Sequence, residues 1–174
     1  TITFSIAFAP SAAASSRVIE GMDLSGKRIL VVDDRQANRE ILLSYIQEAG
    51  GSADTAVNGR SAIDLFRFKE KTGRPYDVAI IDLMLPDMTG LDVARAVQAG
   101  NYGNSTKLVM LSSGSSPELP REAKALGFHA FLMKPILRRD LVDVITQAVG
   151  SLDQTPRVAA KLETPKPNFR ANVL

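Results

Sequence analysis

The sequence predicts an α/β fold in which a five-stranded, doubly wound parallel sheet is covered on both faces by five helices. Three observations carry that prediction. Between residues 27 and 150, short apolar runs alternate with longer stretches of helical period, the pattern of right-handed βαβ units. The apolar runs are continuous rather than alternating, as expected of strands buried on both faces. Four of the runs also end on polar residues. Ile29-Leu30-Val31-Val32 leads to Asp33-Asp34, Val78-Ala79-Ile80-Ile81 to Asp82, Leu108-Val109-Met110-Leu111 to Ser112, and Phe131-Leu132-Met133 to Lys134. In an open parallel sheet, ligands bind beyond the carboxyl ends of the strands, where strand order reverses.

The elements follow in order. Residues 28–32 form the first strand, and residues 36–49 a helix with Ile41, Leu42, Tyr45, Ile46 and Ala49 at helical spacing, stopped by Gly50-Gly51. A short strand over residues 52–57 precedes a helix over residues 59–71, which turns Ala62, Ile63 and Phe66 inward and breaks at Gly73-Arg74-Pro75. The third strand takes residues 77–81, and the third helix, residues 91–99, sets Val93, Ala94 and Val97 on one side. Residues 106–111 form the fourth strand. After the loop at residues 112–116, a short helix carries Pro117 or Pro120 in its first turn, where proline is tolerated. Residues 128–133 are the fifth strand and residues 137–149 the fifth helix, with Leu141, Val144, Ile145 and Ala148 facing in.

Composition narrows the function. Lys and Arg total 21 against 19 Asp and Glu, with no basic run interleaved with aromatics, so nucleic acid is not the expected partner. No apolar stretch approaches the roughly 20 residues that span a bilayer, so no membrane contact is expected of this segment. There is no cysteine, hence no thiolate metal site and no disulfide framework, which suits a cytoplasmic setting. Residues 1–9 alternate apolar and small residues without a basic start, which reads as a strand from a preceding domain rather than a signal peptide. Residues 10–26 and 151–168 read as linkers, and residues 169–174 as the start of a following domain.

The strand-end residues form a recognisable chemistry. Asp33, Asp34 and Asp82 bring three carboxylates together, and like charges so crowded require a compensating cation. A hard, octahedral ion such as Mg²⁺ accepts carboxylate, carbonyl and phosphate oxygens together. Ser112 supplies a hydroxyl and Lys134 a compact positive charge, both suited to a phosphoryl oxygen. Taken singly, each has a plainer use: an Asp pair caps a helix, a strand-end Asp caps a loop, and a lone Lys is usually solvated. Their convergence is what favours the site. His129, the one histidine, is read as a surface residue outside this constellation because no helical His-Glu context surrounds it.

Four separated motifs, Val32-Asp33-Asp34, Ile81-Asp82-Leu83-Met84-Leu85-Pro86-Asp87-Met88-Thr89-Gly90, Leu111-Ser112 and Phe131-Leu132-Met133-Lys134-Pro135, occur in order. In these, residues 27–150 resemble the receiver domain of two-component response regulators. The resemblance implies a flavodoxin-like sheet of order 2-1-3-4-5, phosphorylation of Asp82, and Mg²⁺ held by Asp34, Asp82 and the backbone carbonyl of Met84. Asp33 would act mainly through a bound water. It further implies a cis Lys134–Pro135 bond and a switch in which Ser112 moves toward the phosphoryl group while Phe131 turns inward. Filling the core is the plainer role for Phe131. Met84 and Ser113 lie where side chains can gate water reaching an acyl phosphate.

The flanks, together with Asp34-Arg35-Gln36-Ala37-Asn38-Arg39, resemble a hybrid histidine kinase carrying tandem receivers. The expected partners are then a histidine kinase core in cis or in trans, a histidine phosphotransfer domain, and a second receiver. The segment itself would assist its own phosphorylation, while kinase activity would belong to the parent chain. A rival reading is a docking module that regulates an adjacent kinase by binding a partner domain or a small effector. An aspartyl-phosphate phosphatase wants a second acid two residues beyond the nucleophile, and position 84 is Met.

Overall fold

The computed structural model describes residues 23–114 and 118–150. The expectations for residues 1–9, 10–22, 151–168 and 169–174, and for Pro117, lie outside the described residues. Within them the chain runs β1 (Arg28–Val32), α1 (Gln36–Glu48), β2 (Ser52–Ala56), α2 (Gly59–Lys71), β3 (Val78–Asp82), α3 (Gly90–Ala99), β4 (Lys107–Ser112), α4 (Leu119–Ala125), β5 (Phe128–Met133) and α5 (Arg138–Gly150). All pairings are parallel, in the order β2-β1-β3-β4-β5. Sequential strands therefore go first to one side of β1 and then to the other. The reversal falls between β1 and β3 and opens the crevice where their carboxyl ends meet.

Period-two alternation divides the side chains of each strand between two apolar layers. Leu30, Val32, Ala79, Ile81 and Met110 pack against Ala62 and Phe66 of α2, Val93 and Val97 of α3, and Ala123 of α4. Ile29, Val31, Ile80, Val109 and Leu111 pack against Leu42 and Ile46 of α1 and Leu141 and Ile145 of α5. Burial of both faces explains why β1, β3 and β4 read as continuous apolar runs. Three of the helix starts have a local cause. Asn58 and Ser61 form a capping box at the start of α2, and Thr89 and Asp92 form one at the start of α3. Pro120 stands in the first turn of α4.

The structure differs from the sequence expectations in small ways. Asp82 and Ser112 are the last residues of their strands rather than the first beyond them, because the ladder continues: Leu83 N–H donates to Leu111 O at 2.8 Å and Lys134 N–H to Ser112 O at 2.8 Å. On α1, Ile41 faces outward with half its surface exposed, while Leu42 and Ile46 carry the packing. On α5, Val142 is fully buried and Val144 only partly. Leu24, read as part of a linker, is fully buried against α1, and its N–H donates to Ala49 O at 2.7 Å. His129 lies within β5 and is half-buried rather than on the surface. Burial, with Lys107 nearby, lowers its pKa below the ordinary histidine value.

Candidate functional site

The carboxyl ends of β1, β3, β4 and β5 bring Asp33, Asp34, Asp82, Ser112 and Lys134 together. One oxygen from each of the three carboxylates lies within 4.8 Å of the others, with Asp33 and Asp82 buried and Asp34 exposed. The Lys134 ammonium bridges the two buried acids, at 2.8 Å from Asp33 Oδ2 and 2.7 Å from Asp82 Oδ2. Burial opposes the charge on Lys134, but the hydrogen bonds to Asp33 and Asp82 outweigh it and hold the ammonium above the ordinary lysine pKa. Three carboxylates against one ammonium leave the pocket two negative charges in excess.

The acids differ in how much of their hydrogen-bonding capacity is taken. Asp33 is saturated. Its Oδ1 accepts from Arg35 N–H at 2.9 Å and from the Asn38 amide at 3.0 Å, and its Oδ2 accepts from Asn38 at 3.0 Å as well as from Lys134. Asp82 Oδ1 has only a long 3.5 Å contact from Met84 N–H. The Asp34 carboxylate takes no hydrogen bond from the described residues. Carboxylate oxygens in such a set fit a hard divalent cation of the Mg²⁺ class, and the oxygens left open belong to Asp34 and Asp82.

The sequence reading missed the residues that brace this arrangement. Asn38 and Arg39 sit one turn into α1, where the helix doubles back over the β1 end. The Arg39 guanidinium donates to the backbone carbonyls of Asp33 at 2.8 Å and Asp34 at 2.9 Å. This fixes the backbone that carries both acids. The only available signal was position: a residue five or six beyond a strand-end Asp, in the first turns of a helix, can reach back to it.

Between β3 and α3 the chain is equally constrained. Met84 and Thr89 form an antiparallel bridge, and Gly90 N–H donates to Leu83 O at 2.8 Å. Only glycine fits at position 90, where a Cβ would stand 2.5 Å from the Asp82 carbonyl oxygen. The Asp87 carboxylate accepts from Gly59 and Arg60 N–H, both at 2.9 Å, and so ties this loop to the α2 N-terminus. Met84 itself is largely exposed at the rim.

Ser112 is buried, and its hydroxyl is engaged by the backbone of Gly114 rather than by any of the acids. It donates to Gly114 O at 2.9 Å and accepts from Gly114 N–H at 3.1 Å. Phe131, part-buried on β5, packs against the layer beneath α2, α3 and α4. Ser113 is exposed. The Lys134–Pro135 peptide is cis.

A family profile described as the response regulator receiver domain matches residues 29–146. The sensory/regulatory protein RpfC of Xanthomonas campestris is 34% identical over 142 residues, which cover 79% of this chain and 19% of that protein. Hybrid signal transduction histidine kinase A of Dictyostelium discoideum is 29% identical over 128 residues, covering 71% of this chain and 6% of that protein. The chain thus spans less than a fifth of the length of either relative. Among solved structures, the chemotaxis protein CheY4 of Vibrio cholerae aligns with a TM-score of 0.62 at 30% identity, covering 70% of this chain and 98% of that one.

Proposed function

This chain belongs to the response regulator receiver family of two-component signalling, and we propose that it accepts a phosphoryl group from a phosphohistidine onto Asp82. The observation that supports this most is the Lys134 ammonium shared between two buried acids beside an oxygen of Asp82 that has no close partner. The Asp82 carboxylate attacks phosphorus. An O–P bond forms as the P–N bond to the donor imidazole breaks, and the imidazole leaves with that electron pair. The protein's part is positioning and neutralisation of charge. Lys134 follows the incoming phosphoryl oxygens from its place between Asp33 and Asp82. Asn38 and Arg39 hold Asp33 and Asp34 in register.

Magnesium, held by Asp34, Asp82 and the Met84 carbonyl, would supply the two positive charges that the pocket lacks, and Asp33 would give up one of its present hydrogen bonds to take a metal-bound water. Ser112 would exchange Gly114 for a phosphoryl oxygen, and Phe131 would turn into the space so vacated. The donor would be a histidine kinase core or a histidine phosphotransfer domain, with the whole operating in the cytoplasm. No described helix is long and apolar enough to cross a membrane.

The test is intact mass after incubation with Mg²⁺ and acetyl phosphate. The expected result is a gain of one phosphoryl group in the wild type and none in Asp82→Asn or in EDTA. No gain from acetyl phosphate or from a phosphorylated histidine donor would leave docking as the domain's role.

A further inference from the structure

Far from the acids, a partly open cavity of about 130 Å³ lies between the amino-terminal halves of β1 and β2 and the last turns of α2, lined by Arg28, Asp54, Lys69 and Tyr76 among others. Arg28 stands five residues before Asp33, roughly 16 Å away along the strand. Strand alternation places Arg28 on the same face as Leu30 and Val32, where the apolar layer beneath α2 runs out. A volume of this kind needs only about 10–15 Å³ for one water, so the cavity has room for a small organic anion.

Its charges are unequally committed. Asp54 Oδ2 accepts from Lys69 Nζ at 2.8 Å and from the Tyr76 hydroxyl at 2.8 Å, and Lys69 also lies over the Tyr76 ring at 5.3 Å. The one carboxylate in the wall is thus taken. Arg28 forms no ion pair among the described residues, and its Nε is buried without any hydrogen-bond acceptor. A buried guanidinium N–H left without an acceptor is rare and unfavourable. Among the lining side chains, two cations stand against one carboxylate, a single positive charge in excess, while Asp77, which accepts from the Arg28 N–H at 2.8 Å, is not part of the lining. A planar monoanion meets that charge and suits the planar array of N–H donors that a guanidinium offers. A dianion would meet added repulsion from Asp54.

We propose that this cavity is a binding site for a small monocarboxylate, with Arg28 as its principal donor. The site is independent of the acid pocket, so its occupancy need not follow the state of Asp82.

The experiment is an amide NMR titration of the full 174-residue chain with sodium acetate, against sodium chloride at matched ionic strength and without Mg²⁺. Saturable shifts are expected at Arg28, Asp54 and Tyr76, and none at Asp33 or Asp82. Arg28→Gln should weaken acetate at least tenfold. Asp54→Asn, which keeps an acceptor for the Tyr76 hydroxyl and releases Lys69, should tighten it several-fold. That gain of binding keeps the test decisive even where Arg28→Gln fails to fold. Shifts that grow linearly without saturating, unchanged affinity in a folded Arg28→Gln, weaker binding by Asp54→Asn, or phosphate bound more tightly than acetate would each overturn the proposal.

Discussion

At the carboxyl end of the sheet Asp33, Asp34 and Asp82 share one ammonium, that of Lys134, whereas toward the amino end Asp54 has Lys69 and the Tyr76 hydroxyl to itself. The loops below are tied in the same way as Asp54. Arg28 N–H donates to the Asp77 carboxylate at 2.8 Å, and the Thr106 hydroxyl to Tyr76 O at 2.8 Å. Similar residue types thus do opposite things. Near Asp54 each carboxylate lowers the energy of the fold. Around Asp82 the acids repel one another, and the fold holds them together by backbone constraint from Arg39, Gly90 and the α2 N-terminus. Tight packing and repulsion at one place are the mark of a site kept for a ligand at some cost in stability.

Four substitutions sharpen that contrast, from the largest effect to the smallest. Gly90→Ala drives a Cβ into the Asp82 carbonyl, a backbone atom that cannot swing aside. It should cost about 3 kcal/mol in urea unfolding and slow phosphorylation, because β3 and the Asp82 side chain must shift together. Intact stability would mean that the close approach constrains nothing. Tyr76→Phe removes a buried hydroxyl from Asp54 and should cost about 1 kcal/mol while leaving Mg²⁺ binding unchanged. Asp34→Asn should have the opposite sign, raising stability by roughly 1 kcal/mol in metal-free buffer because repulsion falls. It should also remove most of the thermal stabilisation that Mg²⁺ gives the wild type. A loss of stability in Asp34→Asn would break the contrast.

The smallest effect concerns pH. Some burial raises the Asp87 pKa, but the N–H groups of Gly59 and Arg60 outweigh it and hold the carboxyl below its ordinary value of 3.8. A carboxyl whose pKa is depressed by folding stabilises the fold above its unfolded pKa and loses that contribution as pH falls through the folded one. The melting temperature of Asp87→Asn should therefore lie below that of wild type near neutrality, with the gap closing below about pH 4. A gap that stays constant into acid would mean that the Asp87 carboxylate does not stabilise the α2 N-terminus.

Much of this was legible in the sequence for one reason. Parallel strands buried on both faces are unbroken apolar runs, so the polar residue that ends each is conspicuous. Asp82, Ser112 and Lys134 were found that way, as was the Asp33-Asp34 pair. What escaped depends on how loops fold back. Asn38 and Arg39 lie in a polar first turn, and only the β1–α1 bend reveals that they grip Asp33 and Asp34. Asp87 lies in a loop, and its hold on the α2 N-terminus joins residues 28 positions apart. Leu24 sits in a polar stretch with no period of its own, so its burial could not be inferred. Ile41 fitted the helical spacing, yet the apolar stripe of α1 is narrower than spacing alone implies.

Position of the phosphoryl group is the most direct test of the central claim. Acyl phosphates are cut by borohydride to leave an alcohol, so phosphorylation in Mg²⁺ followed by reduction and peptide sequencing marks the acceptor. Homoserine is expected at position 82 and nowhere else. Homoserine at position 33 or 34, or at no position in protein that carries the added mass, would contradict it.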